Sequence, residues 1–306
     1  MLAKTNQIVY TAGFEKFCKL QYGAARFFVV ADDAWLLPVF QRTLSGAVYA
    51  DIPIPILYAE PIALTSQPQP LNMHAVAQTV AREFNTDVAQ LNLWAQHNAQ
   101  ILNSTGAKNI FSVHVLEVRD QETADNVLQN RVDKKTRNQI TVALKNNFEG
   151  KFVTSLAEWY QLYVRHHQTR KYGYKTLIYF ECMQEAFGDA LHIFGCYSNG
   201  TLVGANMFVI NKNYLWLVSN ISDFSVAALY PNNFLYWLMI SRGIAGGIRV
   251  FDFGGGTGGD SSIAHFKIGF GARTIPLYAF TYYRSLGSHI RHWLTTKKRH
   301  WHLLRS

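Results

Sequence analysis

Between Leu191 and Ile210 two apolar-rich runs meet at Asn199-Gly200, and this dipeptide constrains the fold more than any other feature of the chain. A two-residue hairpin turn needs a left-handed backbone at both central positions, which Asn and Gly tolerate best. The runs Leu191–Ser198 and Leu202–Ile210 are therefore expected to pair as antiparallel strands. Upstream, Lys135–Asn147 reads as a helix and Lys151–Thr154 as a strand. Ser155 stands as an N-cap before a helical run Leu156–Thr169, with Glu158 in its first turn, and Leu177–Glu185 is a further helix. Downstream, Tyr214–Asn220 reads as a strand and Pro231–Ala245 as a helix opened by proline and closed at Gly246-Gly247. Val250–Phe253 and Leu277–Tyr282 are the last two strands.

The first half echoes this order more loosely. It offers a helix Phe14–Tyr22 and strands Arg26–Ala31 and Trp35–Arg42. A proline-broken stretch over 45–63 and a loop over 66–71 follow, then a helix Met73–Phe84. Strands Leu91–Leu93 and Phe111–Leu116 flank a helix near 95–104. The echo points to an internal duplication. A length of 306 residues also exceeds the roughly 100–200 of an average domain. The polar stretch Asp120–Arg137 suits a boundary, which gives lobes 1–125 and 126–283 and a tail 284–306.

With 49% hydrophobic and 16% charged residues, the chain can bury a large core and is not disordered as a whole. No apolar run approaches the roughly 20 residues of a membrane span. Met1–Tyr10 lacks the basic-then-apolar layout of a signal peptide, so a cytoplasmic location is expected. Cys18, Cys182 and Cys196 are far apart among apolar neighbours and read as three buried thiols. No metal is expected, since His166 and His167 have no ligand-type partner one turn on. The glycines Gly254–Gly256, Gly258 and Gly259 lack the ending of a phosphate loop, and no GxSxG motif suggests a hydrolase.

The net charge is +9, and no acidic residue follows Asp260. That end carries Lys267, Arg273, Arg284, Arg291, Lys297, Lys298, Arg299 and Arg305, which favours a polyanionic partner: phosphate, nucleic acid or anionic lipid. In the tail, Trp293, Leu294, Trp301, Leu303 and Leu304 lie among the basic residues. Three readings stay open for it: contact with an anionic membrane surface, with a tRNA stem, or with the body of the protein.

The element order of the second half is that of an acetyltransferase fold. Such a fold grips coenzyme A with backbone amides between its central strand and the next helix. Here that loop, Ile221–Tyr230, contains no glycine. Arg242-Gly243-Ile244-Ala245-Gly246 is no substitute, because it lies at a helix end, where the dipole disfavours anions. Phe251-Asp252-Phe253-Gly254-Gly255, followed by Phe266-Lys267-Ile268-Gly269-Phe270-Gly271-Ala272, resembles the C-terminal signature of the FemAB/FemX family. Lys135–Ile140, Thr169–Tyr174 and Asn199–Ala205 resemble further pieces of that family in the same order. The resemblance covers about 130–280 well and 1–125 in outline.

The resemblance implies an α/β (α+β) protein of two acetyltransferase-like (GNAT-like) lobes, each a central mixed sheet flanked by helices. It implies acyl or aminoacyl transfer to an amine, with aminoacyl-tRNA adding an amino acid to a peptidoglycan precursor or related cell-envelope acceptor. An acyl-CoA-dependent N-acyltransferase for a sugar amine or small molecule is the alternative, and a non-catalytic binding module of polysaccharide machinery is a third reading. tRNA and a nucleotide- or lipid-linked peptide or sugar are the implied partners. No permanently bound cofactor is implied. By the same resemblance Lys267 holds a donor phosphate or stabilises an oxyanion, and Phe266 stacks on a base. Arg170 and Tyr174 grip the acceptor, and Tyr214 lines its channel. Asp252 stands either as a base or as the tie of a glycine turn.

Overall fold

The computed structural model describes residues 6–52, 59–66, 72–94, 108–255 and 261–293, apart from single positions at 32, 34, 45 and 60. In chain order the elements are α1 (Ala12–Tyr22), β1 (Ala25–Ala31), β2 (Trp35–Leu44), β3 (Ala47–Asp51), β4 (Ile62–Ala63), α2 (Met73–Glu83), β5 (Val88–Trp94) and β6 (Lys108–Glu117). Then come α3 (Ala124–Asn130), α4 (Lys134–Lys145), β7 (Phe148–Phe152), α5 (Leu156–Arg170), α6 (Leu177–Phe187), β8 (Leu191–Ser198), β9 (Thr201–Asn211) and β10 (Tyr214–Ser222). The last are α7 (Pro231–Ala245), β11 (Val250–Gly255), α8 (Ser261–Gly269) and β12 (Arg273–Tyr283). Helical backbone resumes over 286–293.

The chain forms two compact units. One comprises Met1–Ser112 with Ile275–Ser306, the other Val113–Thr274. In the first, β1, β2 and β3 run antiparallel in turn, β3 pairs with β5 in parallel, and β5 pairs antiparallel with β12. The parallel step requires a crossover, and α2 supplies it. Val76, Ala77 and Val80 of α2 bury against Trp35, Leu37, Val39 and Phe280. Its N-terminus is capped by Asn72, whose side chain accepts from Ala75 N at 3.1 Å.

The second unit repeats the scheme. β7, β8, β9 and β10 run antiparallel in turn, β10 pairs with β11 in parallel across the α7 crossover, and β11 pairs antiparallel with β6. Within each unit, the last strand of this series is drawn from the other half of the sequence: β12 in the first and β6 in the second. The Asn199-Gly200 turn forms as expected, with φ of 50° and 76°. Ser155 caps α5 through Glu158 N at 3.2 Å. α7 packs Phe234, Leu235, Tyr236, Met239 and Ile240 into a core shared with Phe251, Phe253 and Phe270. Burying each such side chain contributes about 1.5–3 kcal/mol.

Two helices go beyond what the sequence indicates. α3 lies in the polar stretch that suits a boundary. It is nucleated by a capping box in which Asn126 N donates to Thr123 Oγ1 at 3.2 Å and Thr123 N to Asn126 Oδ1 at 3.1 Å. α8 occupies what reads as loop, because its nine residues carry no clear amphipathic period. β7 begins at Phe148, three residues before the expected strand. Cys18 and Cys196 are buried free thiols, whereas Cys182 is only half-buried. The expected helix near 95–104, most of the loop over 66–71, the glycines from Gly256 to Gly259 and the tail beyond 293 lie outside the described residues.

Candidate active site

The site is set by where β10 and β11 part. Among the described residues their parallel pairing covers only Tyr214–Trp216 against Val250–Asp252, yet β10 runs on to Ser222 and β11 to Gly255. The register of β10 against β9 shifts between Leu217 and Ser219. That bulge leaves Val218 as the extra residue and bends the strand just past the last shared position.

Tyr214, Asp252 and Lys267 meet at this fork. Tyr214 Oη donates to Asp252 Oδ2 at 2.5 Å. Gly254 N donates to Asp252 Oδ1 at 2.8 Å, with Gly254 in the left-handed region at φ 67°. Both oxygens of Asp252 are therefore engaged, one across strands and one in the turn that ends β11. Lys267, on α8, is only 5% exposed. Its Nζ donates to Gly254 O at 3.1 Å and to Gly255 O at 2.8 Å. It is thus a buried helix lysine that holds the carbonyls of the same turn. Burial lowers its pKa to about 8, against the opposing charge of Asp252.

An aromatic wall fixes α8 in place. Phe266 meets Tyr236 edge-on at 4.9 Å between ring centroids and Phe270 at 5.2 Å, and Tyr236 packs on Phe253 at 5.2 Å. The glycines of the FKxGFG segment serve close packing at the start of α4. A Cβ at Gly269 would lie 2.5 Å from Thr136 Oγ1 and 2.8 Å from Asp133 Oδ2. Gly271 has φ 85° and sits against Arg131. Asp133 N donates to Gly269 O at 3.0 Å, and Asp133 Oδ1 caps α4 by accepting from Thr136 N at 2.6 Å.

Arg170 and Tyr174 stand elsewhere, at the exit of α5. The Arg170 guanidinium lies over the Phe224 ring at 4.5 Å, and His166 stacks on the same ring at 5.1 Å. His166 Nδ1 lies 2.9 Å from Ser222 O and 3.1 Å from Ser222 N. Burial, aided by the charge of Arg170, keeps the His166 imidazole below its usual pKa. Tyr174 is 48% exposed.

Phe224 opens the loop after β10, which is a 3₁₀ turn over Phe224–Leu229 ending at Tyr230 with φ 60°. Several amides of this loop are already engaged. Asp223 N donates to Val203 O at 2.8 Å, Ser225 N to Asp223 Oδ1 at 2.8 Å and Tyr230 N to Ala227 O at 3.1 Å. Pro231, the first residue of α7, has no N–H to offer.

Two features escaped the sequence reading. His114, on β6, lies opposite Phe253 and Gly254, because Asp252 pairs with Val115 and Gly255 with Val113. Burial, then the Lys267 charge, pulls its pKa to about 4, so the ring is neutral near pH 7. The only local signal was a histidine inside the apolar run Val113–Leu116. The second feature is an amide network at the N-terminus of α7. Asn220 Nδ2 donates to Asn206 Oδ1 at 2.7 Å and to Asn232 Oδ1 at 3.2 Å, and Asn232 Nδ2 donates to Ser222 Oγ at 3.1 Å.

Comparison with known proteins agrees with this architecture. Residues 134–267 match the acetyltransferase (GNAT) domain family. A comparison with curated proteins finds no match. The fold is that of FemX, with a TM-score of 0.68 at 10% identity over 91% of this chain and 94% of that one. It is similar to the C-terminal domain (DUF2156) of a protein described as a lysylphosphatidylglycerol synthetase from Agrobacterium fabrum, at TM-score 0.58 and 9% identity, covering 96% and 92%. It is also similar to a tandem GNAT protein from the clavulanic acid biosynthesis pathway, at TM-score 0.51 and 10% identity, covering 91% of each chain. The chain is thus FemX-like in fold, and its residues 134–267 match an acetyltransferase (GNAT) domain, which makes acyl transfer its reaction class.

Proposed function

We propose that this protein transfers an aminoacyl group from tRNA to an amine on a nucleotide- or lipid-linked peptide of the cell envelope. The observation that carries the choice of donor is the loop after β10. A coenzyme A pyrophosphate needs a set of unengaged amides at a helix N-terminus. Here three loop amides already have partners, Pro231 has none to give, and the Asp223 carboxylate adds negative charge beside them. The likeness to FemX, and to a protein described as a lysylphosphatidylglycerol synthetase, supports the same reading.

In this reading the amine nitrogen attacks the ester carbonyl of the charged tRNA. A carbon–nitrogen bond forms, the ester carbon–oxygen bond breaks, and the proton lost by the amine ends on the released ribose oxygen. Charge gathers on the carbonyl oxygen in between. Lys267 directs two of its three N–H donors at Gly254 and Gly255, which fixes the ammonium and leaves the third for that oxyanion. Arg170, stacked on Phe224, keeps its in-plane donors for an acceptor phosphate, with Tyr174 beside the acceptor.

The second reading, an acyl-CoA-dependent N-acyltransferase, is favoured by the parting of β10 from β11 beyond Trp216, which leaves a strand edge for an extended donor. The two are separated by incubating the protein with tRNA charged with a labelled amino acid mixture, or with labelled acetyl-CoA, and a nucleotide-linked peptidoglycan precursor. Label passing to the precursor from tRNA alone supports the proposal; label passing from acetyl-CoA alone replaces it with the second reading.

A further inference from the structure

His114 stands inside β6 on the side of the sheet that carries the Lys267 helix. Phe251 pairs with Leu116 and Asp252 with Val115, and side chains alternate along a strand. His114 therefore shares the face of Leu116 and Phe251. Tyr236 and Phe270 pack in the same core, and Phe266 anchors α8 against them. Asp252, bonded to Tyr214, lies on the other face. Where the register of β11 slips, Phe253 and Gly254 both stand against His114. The carbonyl of that Gly254 holds Lys267 Nζ at 3.1 Å. The bulge thus brings the ring and the ammonium to one turn.

The two nitrogens of the ring differ. His114 is 3% exposed, and its Nδ1 lies 3.3 Å from Thr274 Oγ1. Nε2 has no partner among the described residues, yet it is not sealed from solvent. A histidine buried for packing alone is expected to satisfy both nitrogens. Burial, then the Lys267 charge, holds the ring neutral at pH 7, with a pKa of about 4. Such a ring is a weak base, since a general base works best with a pKa near the working pH. It is a good fixed donor. With Thr274 Oγ1 donating to Nδ1, the one ring proton sits on Nε2. Beside an ammonium, that N–H suits a group that turns negative during the reaction.

We propose that His114 is a second catalytic donor, whose Nε2–H binds, beside Lys267, the oxyanion formed in acyl transfer. This rests on the oxyanion step assigned to Lys267 and holds for an ester or a thioester donor. As the amine nitrogen bonds to the acyl carbon, the carbonyl π pair moves onto oxygen, and Nε2–H donates to it. When the pair returns, the bond to the leaving group breaks, and the amine's proton ends on the leaving oxygen or sulfur. His114 itself neither gains nor loses a proton.

The test is single-turnover transfer from whichever donor delivers label, paired with thermal melts. His114→Asn keeps an amide near Nδ1 for Thr274 but has nothing at Nε2, whereas His114→Gln places its amide near Nε2. His114→Asn should slow transfer by about 10²–10³-fold with a near-wild-type melt, and His114→Gln should stay within about tenfold of wild type. A fully active His114→Asn, or a His114→Gln slower than His114→Asn, overturns the proposal. Lys267→Ala separates the two claims. If it is slow while His114→Asn is fully active, the proposal alone falls; if it is active while His114→Asn is slow, the histidine stands and the reading of the lysine falls. Nitrogen NMR of the isotope-labelled wild-type chain gives a readout that needs neither activity nor a folded His114 variant. The one ring that responds to Thr274→Ser should be neutral near pH 7 with its proton on Nε2. A ring protonated on Nδ1, or charged, overturns the proposal.

Discussion

Lys267 Nζ donates to the carbonyl oxygen of Gly255 at 2.8 Å, so the cation offered by the FKxGFG segment also closes the end of β11. The lysine therefore has two duties, and its removal should report both. Lys267→Ala should lower the single-turnover transfer rate by about 10²–10³-fold, as for other oxyanion donors. It should also cost about 1–3 kcal/mol of stability, because two half-buried carbonyls lose their donor. Lys267→Arg should recover part of each. Transfer rates paired with thermal melts check this, and an active alanine variant removes Lys267 from the chemistry.

The pH dependence follows from the same burial. The Lys267 pKa falls from 10.5 to about 8 on folding. Below pH 8 both folded and unfolded chains carry the proton, and the buried charge is a constant penalty. Between pH 8 and 10.5 the unfolded chain still binds the proton that the folded chain has lost, so this group adds stability as pH rises. Activity moves the other way, because the ammonium that stabilises the oxyanion disappears above about pH 8. A rate profile with a descending limb near 8 in wild type, absent in Lys267→Arg, is the expected result.

Tyr214→Phe removes the hydroxyl that reaches Asp252. A lost hydrogen bond to a charged acceptor costs about 1.5–3 kcal/mol. The chemical denaturation midpoint should fall accordingly. Asp252→Asn should then cost less when combined with Tyr214→Phe than it costs alone. Additive effects of the two changes would separate the pair.

Gly269→Ala tests why the motif needs its glycine. The added methyl would press on Thr136 Oγ1 and Asp133 Oδ2, both of which belong to the start of α4. Overpacking of this kind costs about 1–3 kcal/mol, so the melting temperature should drop and transfer should slow through displaced Lys267. An unchanged melt would mean that the glycine serves ligand approach instead.

Much of the fold was legible because its signals are local. The Asn199-Gly200 hairpin, the Ser155 cap and the Pro231–Ala245 helix form as their residues dictate. The pairing of β6 with β11 and of β12 with β5 was not legible, since strand pairing between distant parts of the chain leaves no local mark. The motif segment itself was legible, but its setting was not. Lys267 reads as a cation for a donor phosphate or an oxyanion, but nothing in the spacing indicates that it is buried on a helix against the carbonyls of Gly254 and Gly255, with Gly269 packed against Thr136 and Asp133. Arg170 reads as a phosphate grip, and nothing in sequence spacing indicates that Phe224, several elements further along the chain, supplies the ring beneath it.

Arg170→Ala should raise KM for a phosphate-bearing acceptor at least about tenfold with kcat little changed, as expected for loss of a charged anchor that binds ground and transition states alike. Arg170→Lys should recover little of this, because a point charge neither stacks on Phe224 nor presents a planar fork. Steady-state kinetics with acceptors bearing and lacking the phosphate check it.

The most direct test of the donor assignment is calorimetry and single-turnover transfer on the same preparation. Acetyl-CoA should bind weakly, with no change on substituting residues within Ile221–Tyr230, while charged tRNA should deliver its amino acid to the acceptor amine in a Lys267-dependent step. Tight acetyl-CoA binding abolished by changes in that loop, together with acetyl transfer and no transfer from tRNA, would contradict the account.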